Sequence, residues 1–343
     1  MNPHILTLML SSLAIGTIIT MSSTHWLIAW AGLEINTLAI IPLITKPNNP
    51  RATEAATKYF LTQAAASSMI LFSSTFNAWH TGQWDISQLT NEPACTLLTL
   101  ALAMKLGLAP LHFWLPEVMQ GTSIKTTMII TTWMKLAPMT LLLLIHNSLN
   151  QTILLTMGIL SILVGGWGGL NQTQLRKIMG FSSISHLGWM TMVLIIAPNT
   201  LILALLIYIT MTLAMFTILL YTQAKTIENL MFTWTVSPTL STFTMIILLS
   251  LGGLPPLTGF MPKWLILQEL VTQQMLPAAT ASTILTLLSL FFYLRLSYVS
   301  SLITSPNQTP TTTMWRFKLT VPPLAMLLTA ISTLTLPMTP STI

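Results

Sequence analysis

The sequence predicts an all-α polytopic membrane protein. It reads as about eleven transmembrane helices: two inverted five-helix repeats with a broken helix in each, plus one C-terminal helix. Three observations predict it. Charged residues are only 6% of the 343, where a soluble domain carries about 25%. Apolar residues make up 53% and the mean hydropathy is +0.75. A proline- and glycine-interrupted apolar stretch occurs twice, at related places in the chain.

A soluble protein of this size could not cover itself with so few charges. That excludes a cytosolic globular enzyme, a disordered chain and a nucleic-acid binder. The formal charge of +6 is not gathered into one basic patch, so it reads as a topology signal. A single cysteine, Cys95, allows no disulfide framework and no cysteine-based metal or iron–sulfur site. Met1 to Thr7 has no basic n-region, so the first apolar run is expected to be a permanent helix rather than a cleaved signal or transit peptide.

The apolar runs are Ile5–Met21, Trp26–Thr45, Tyr59–Trp79, Ala94–Trp114, Thr126–Ile145, Thr152–Leu170, Ile178–Ile196, Leu201–Tyr221, Thr239–Leu267, Ala278–Val299 and Leu319–Pro337. Most approach the ~20 residues that cross a ~30 Å hydrocarbon core as helix. They are continuous rather than alternating, which argues against strands. The ninth is too long for one plain crossing and is interrupted by Gly252, Gly253, Pro255, Pro256 and Gly259. Connections such as His80–Pro93 and Ser300–Lys318 leave no room for a soluble domain.

Eleven crossings place alternate loops on opposite sides. Loops on the N-terminal side hold Lys46, Arg51, Lys58, Lys125, Arg176, Lys177, Lys225, Arg316 and Lys318. Loops on the other side hold no cation, only Asp85, Glu92 and Glu269. This positive-inside asymmetry supports the count and puts the N-terminus on the cytoplasm-like side. Arg295 lies close to the end of segment ten that reaches the same membrane side as the N-terminus, and Lys105, Lys135 and Lys263 remain within the apolar runs.

GLAPLHFWLP, from Gly107 to Pro116, matches GLPPLTGFMP, from Gly253 to Pro262, at a constant offset of 146 residues. The first stretch closes segment four and the second lies in segment nine, the fourth members of two five-segment groups. Five is odd, so the second group is inverted: residues 1–147 form the first repeat, 148–300 the second, and 301–343 the C-terminal helix. One such proline break alone reads as a kink for helix packing; a matched pair in inverted halves points to a transport site near the midplane. Pro110 and Pro256 each remove a backbone donor and clash with the carbonyl four residues earlier. Carbonyls freed at membrane depth need partners or water.

Glu34, Lys105 and Lys135 lie near the middles of segments two, four and five, and Lys263 follows the second break. A charge at the bilayer centre costs at least ~2.5–3.5 kcal/mol, and leucine would pack better. Either these residues snorkel or form static ion pairs, a reading with most weight for Lys263, or they carry charge across the membrane. Three lysines face one glutamate, so the interior is net positive unless a lysine sheds its proton. A lysine that gains and loses a proton beside a Glu–Lys pair that forms and breaks is a proton relay. His186, mid-segment seven, and His112, after Pro110, are either hydrogen-bonded packing residues or further relay members. Ser182, Ser183 and Ser185 beside His186 fit a hydrogen-bonded chain or helix packing. There is no nucleotide-binding glycine motif, Walker motif or hydrolase triad.

The whole chain resembles the family of subunit 2 of mitochondrial NADH:ubiquinone oxidoreductase, respiratory complex I. The resemblance is carried by WAGLEINTLAIIPLI at Trp30–Ile44, NPRATEAATKYFLTQA from Asn49, AMKLGLAPLHFWLPEVMQG from Ala103, WMKLAP from Trp133 and LGGLPPLTGFMPKW from Leu251. It implies an antiporter-like fold of five plus five helices. It implies that Glu34 pairs with Lys105, that Lys135 is the central lysine, that Lys263 is the terminal relay residue, and that His112 and His186 belong to the hydrated axis. It also implies the inner mitochondrial membrane, with the N-terminus in the matrix. FMN, iron–sulfur clusters and ubiquinone would sit on other subunits, leaving no cofactor and no metal in this chain. The implied partners are other membrane-arm subunits, including antiporter-like subunit 4 and subunit 4L, and the lipid bilayer, with no nucleic acid. Beside a proton-translocating subunit stand two alternatives: a stand-alone cation/proton antiporter using the same lysines, and a scaffold whose charges only lock helices together.

Overall fold

A computed structural model describes residues 3–231, 233, 237–302 and 323–337. Arg316, Lys318 and the start of the eleventh apolar run lie outside the described residues. The described residues are helical, with two isolated β-bridges and no longer strand among them. Among the described residues, six helices are long and apolar enough to cross a membrane: Pro3–Ser22, Trp26–Thr45, Ile124–Leu144, Gln151–Leu170, Pro198–Thr222 and Leu276–Ser301. The chain divides into two compact units, Met1–Ser161 with Leu194–Pro198, and Ile162–Val193 with Asn199–Ile343.

The first unit opens with α1 (Pro3–Ser22) and α2 (Trp26–Thr45). They approach so closely at Gly16 and Gly32 that a Cβ on either would lie 2.9 Å from the other's carbonyl oxygen, the small-residue contact by which helices associate in lipid. His25 caps α2, its Nδ1 accepting from the Leu27 amide at 3.2 Å. Its ring stacks on Trp84, while Trp26 N–H donates to Trp84 O and Ile86 N–H to Thr24 O. The loop before α2 is thereby stapled to the loop that follows α3.

Helix α3 (Pro50–Thr81) starts nine residues before its apolar run. Asn49 in extended conformation followed by Pro50 is a strong helix start, and the alanines behind it favour helix. Apolarity reports the membrane rather than the helix, so the sequence reading missed these turns. At 1.5 Å per residue, α3 outreaches the hydrocarbon core and carries Arg51, Glu54 and Lys58 outside the apolar run.

Helix α4 (Glu92–Leu106) stops at Gly107 and α5 (Trp114–Gly121) resumes beyond it. Gly107 has φ 80° and ψ 40°, left-handed geometry that favours glycine. Its N–H donates to Ala103 O and Met104 O, and Leu108 N–H also donates to Ala103 O. This is a Schellman termination, which satisfies carbonyls that would otherwise be orphaned.

The fifth apolar run is also interrupted, at a place the sequence reading did not mark. α6 (Ile124–Thr131) passes through a 3-10 turn at Trp133–Lys135 into α7 (Leu136–Leu144). Pro138 explains it. With no N–H to offer Met134 O, it fits only the first turn of a new helix.

In the second unit, the part of α8 (Gln151–Leu170) from Ile162 onward lies between α9 (Leu175–Val193) and later helices. A Cβ on Gly165 would lie 2.7 Å from Ser185 N and 2.8 Å from Phe181 O; one on Gly166 would lie 2.8 Å from Leu288 Cβ. After α10 (Pro198–Thr222) and the short α11 (Ile227–Met231), a second loop staple forms: Leu175 N–H donates to Lys225 O and Ile227 N–H to Thr173 O.

Helix α12 (Pro238–Gly252) ends as α4 does. Gly253 has φ 78° and ψ 46°, and Leu254 N–H donates to Leu249 O. α13 (Phe260–Thr272) resumes after Pro255, Pro256 and Gly259, followed by α14 (Leu276–Leu302) and α15 (Pro323–Leu334). Thr258, in the break, donates its hydroxyl to the Ser332 carbonyl of α15. Arg295 on α14 donates to Leu170 O at 2.7 Å.

Gly165→Ala is expected to lower the melting temperature of the detergent-solubilised protein. The new methyl meets backbone atoms that cannot rotate away, and overpacking of this kind costs about 1–3 kcal/mol. An unchanged melt refutes the close α8–α9 contact.

Candidate functional site

Both helix breaks are stitched by a side-chain donor from the second half-helix. At the first, Trp114 Nε1 donates to Met104 O at 3.0 Å. At the second, Lys263 Nζ donates to Gly252 O, the last residue of α12, at 2.8 Å. Gly252 O, the carbonyl four residues before Pro256, is thus met by the chain itself.

Lys105 stands one residue before the end of α4, where outward-pointing carbonyls favour a cation. Lys135 stands in the 3-10 turn between α6 and α7. Both are buried, at 7% and 5% exposure, and both line one cavity of about 20 Å³. Asn36 and Thr37 of α2 and Tyr59 and Gln63 of α3 complete its polar lining. Glu34 is not part of the lining. Its carboxylate is within electrostatic reach of Lys105, yet Glu34 Oε2 and Lys105 Nζ are both buried without a hydrogen-bond partner, so the two are not in contact.

In the second unit, His186 and Trp189 of α9, Tyr208 and Met211 of α10, and Pro262 and Lys263 of α13 line a cavity of about 10 Å³. The His186 and Tyr208 rings are 5.6 Å apart, tilted by 44°. His112 sits within the first break, buried against Phe113 at 4.3 Å between ring centres, and lines neither cavity.

The structure therefore brings Lys105 to Lys135, and His186 to Lys263. It leaves Glu34 and His112 beside these groupings. Asn36, Tyr59, Gln63 and Tyr208 were missed by a reading that searched apolar runs for charge. The available signal was Tyr59 and Gln63, four residues apart and so on one helix face. Among the described residues no group of three or more His, Cys, Asp or Glu could hold a metal ion.

The comparisons with known proteins agree with one another. Residues 23–289 match the model of the NADH:quinone oxidoreductase/Mrp antiporter transmembrane family, and residues 290–343 match that of the NADH dehydrogenase subunit 2 C-terminus. NADH-ubiquinone oxidoreductase chain 2 of Salmo salar is 55% identical over 342 residues, covering 99% of this chain and 98% of the relative. The chain belongs to the NADH-ubiquinone oxidoreductase chain 2 family. The Gallus gallus member is 55% identical over 340 residues, with coverage of 99% and 98%. A chain of respiratory complex I from Thermus thermophilus, solved with bound aureothin, superposes with a TM-score of 0.85 at 27% identity, covering 98% of this chain and 80% of that one. As a chain 2 protein, this is a membrane subunit of proton-translocating NADH-ubiquinone oxidoreductase.

Outside the apolar runs, Lys58 of α3 joins Glu54 at 2.6 Å and Glu117 of α5 at 2.7 Å. It thereby ties the start of α3 to the half-helix beyond the first break. The hydrogen bonds that Lys58 donates to Glu117 and Glu54 push it up to about 12, and accepting from Lys58 holds Glu54 below its ordinary value. The raised lysine contributes stability present below 10.5 and lost as pH rises through about 12. The depressed glutamate contributes stability present above 4.5 and lost as pH falls. Both groups are exposed and salt-screened, so the contribution is small. Between pH 4.5 and 10.5, the two ordinary values, melts of wild type and Lys58→Met are expected to keep a constant offset. A difference that varies within that window refutes the assignment.

Proposed function

We propose that this chain carries protons within the oxidoreductase by a relay centred on Lys105 and Lys135, with Glu34 as its controlling charge. The observation that carries the proposal is the one small cavity that both buried lysines line. Each lysine is costly at membrane depth, and two together are costlier, so their juxtaposition needs a use. Glu34 acts on Lys105 through space without a direct bond. Closing that pair holds the proton on Lys105; opening it leaves Lys105 able to release its proton toward Lys135. Quinone chemistry elsewhere in the assembly would move the pair between these conditions. Lys263, with His186 and Tyr208 around its cavity, passes charge onward.

The fold reading extends to eleven crossings in two inverted repeats, 1–147 and 148–300, followed by the C-terminal helix of 301–343. Several matches support it. The left-handed glycines at 107 and 253 have nearly equal angles and the same Schellman bonds. Each repeat has one loop staple, between the loops that precede its second and fourth apolar segments. The distribution of basic loops supports the inversion and an N-terminus in the matrix. The inner mitochondrial membrane, contact with subunit 4 and subunit 4L, and FMN, iron–sulfur clusters and ubiquinone held by other subunits complete the reading.

Lys135→Met in the assembled enzyme is expected to lower protons pumped per electron while NADH oxidation persists. Unchanged stoichiometry removes Lys135 from the relay. Lost assembly with normal pumping in whatever assembles favours a scaffold.

A further inference from the structure

The staple at the start of α2 is built on a titratable ring. His25 Nδ1 accepts the Leu27 amide hydrogen, so that nitrogen carries no proton. An imidazolium donates from both nitrogens and accepts at neither. It also opposes the positive end of the helix dipole. Capping of α2 through Nδ1 and protonation of that nitrogen therefore exclude one another, and imidazole titrates between about pH 5 and 8. The bonds from Trp26 N–H to Trp84 O and from Ile86 N–H to Thr24 O flank His25 and Asp85. They make these two the non-hydrogen-bonded pair of an antiparallel bridge. Side chains of such a pair share one face, with Cβ atoms about 4.5–5.5 Å apart. His25 is partly exposed and Asp85 exposed, so water reaches both. The last turn of α1 and the first turn of α2 carry no titratable side chain. His80, near the end of α3, lies against Phe76, and Glu92 opens α4. Asp85 is thus the charged group set opposite His25.

We propose that His25 is an acid-sensitive latch on α2, exchanging the Leu27 amide for the Asp85 carboxylate when the far side of the membrane acidifies. The far side is the one whose loops hold no cation, and in the orientation proposed above it receives the pumped protons. The consequence for pumping rests on that orientation and on the Glu34 relay; the chemistry of the latch rests on neither. The neutral imidazole caps α2 and stacks on Trp84. A proton taken from water forms an N–H bond at Nδ1, which then donates to the Asp85 carboxylate. The Leu27 amide loses its acceptor. Asn77 Nδ2 donates to Gln88 O at 3.0 Å and anchors the loop bearing Asp85 to α3, so the part that shifts is the start of α2. Glu34 lies further along that helix, and its effect on Lys105 changes as α2 moves. Acid accumulating beyond the membrane thus loosens the control of Lys105 and lowers protons pumped per electron.

The test compares the assembled wild-type oxidoreductase with His25→Asn, whose amide oxygen caps a helix and does not titrate. Amide hydrogen exchange across residues 24–30 is measured in detergent, with the two proteins compared at the same pH. Acidification through the imidazole range is expected to speed exchange in wild type about fivefold relative to His25→Asn, the factor that one lost N-cap gives. A ratio that stays constant with pH overturns the latch. Should His25→Asn fail to assemble, Asp85→Asn replaces it. Without the carboxylate, loss of protection is expected to need a lower pH, and an unshifted midpoint overturns the proposal. Sealed vesicles then test the consequence. Acid confined to the lumen that receives protons is expected to lower protons pumped per electron more in wild type than in His25→Asn. Equal falls beside a pH-dependent exchange ratio overturn the link to Glu34. A larger fall when the acid is instead outside overturns the orientation and leaves the latch standing.

Discussion

A peptide group inside a bilayer has no water to turn to, so every N–H and C=O released from a helix must be met within the protein. The two breaks are organised around that constraint. Gly107 and Gly253 adopt the left-handed conformation that lets their own N–H groups return to the preceding turn. From the resumed helices, Lys263 then reaches back to Gly252 O, the carbonyl four residues before Pro256, and Trp114 to Met104 O in the last turn before the first break. Thr258 is met by the C-terminal helix. The positions of Lys105, one residue before the first break, and Lys263, just beyond the second, follow from these terminations.

The same scarcity of water governs the charges. A lysine in an apolar run is expensive wherever it stands, and it becomes useful where polar groups and a little space surround it. In the first unit α2, α3, α4 and the interrupted α6–α7 region supply that surrounding. In the second unit an aromatic and histidine lining encloses Lys263. Glu34 lies within electrostatic reach of Lys105 without touching it, so the strength of that interaction depends on where α2 stands.

Much of this was legible in the sequence, for a definite reason. Charges are so rare here that Glu34, Lys105, Lys135 and Lys263 stand out against apolar runs, and glycine and proline mark the breaks by what they forbid. Other features had weaker signals. Gln63 and Asn36 are uncharged amides, and only their burial without partners singles them out. The interruption at Lys135 was announced by Pro138, three residues on, but the surrounding leucines read as one continuous span. The extra turns of α3 are helical yet polar, so hydropathy passed over them. Whether Glu34 touches Lys105 depends on side-chain placement that no spacing rule contains.

The bonds across the second break differ in how much chain they enclose. Lys263 reaches Gly252 across 11 positions, much as Trp114 reaches Met104 across 10, so each closes a short loop at low entropic cost. Thr258 and Ser332 are separated by 74 positions. The hydroxyl at 258 thus closes by far the longest loop of the three, the one with the largest closure entropy, and it couples the second break to a helix far along the chain.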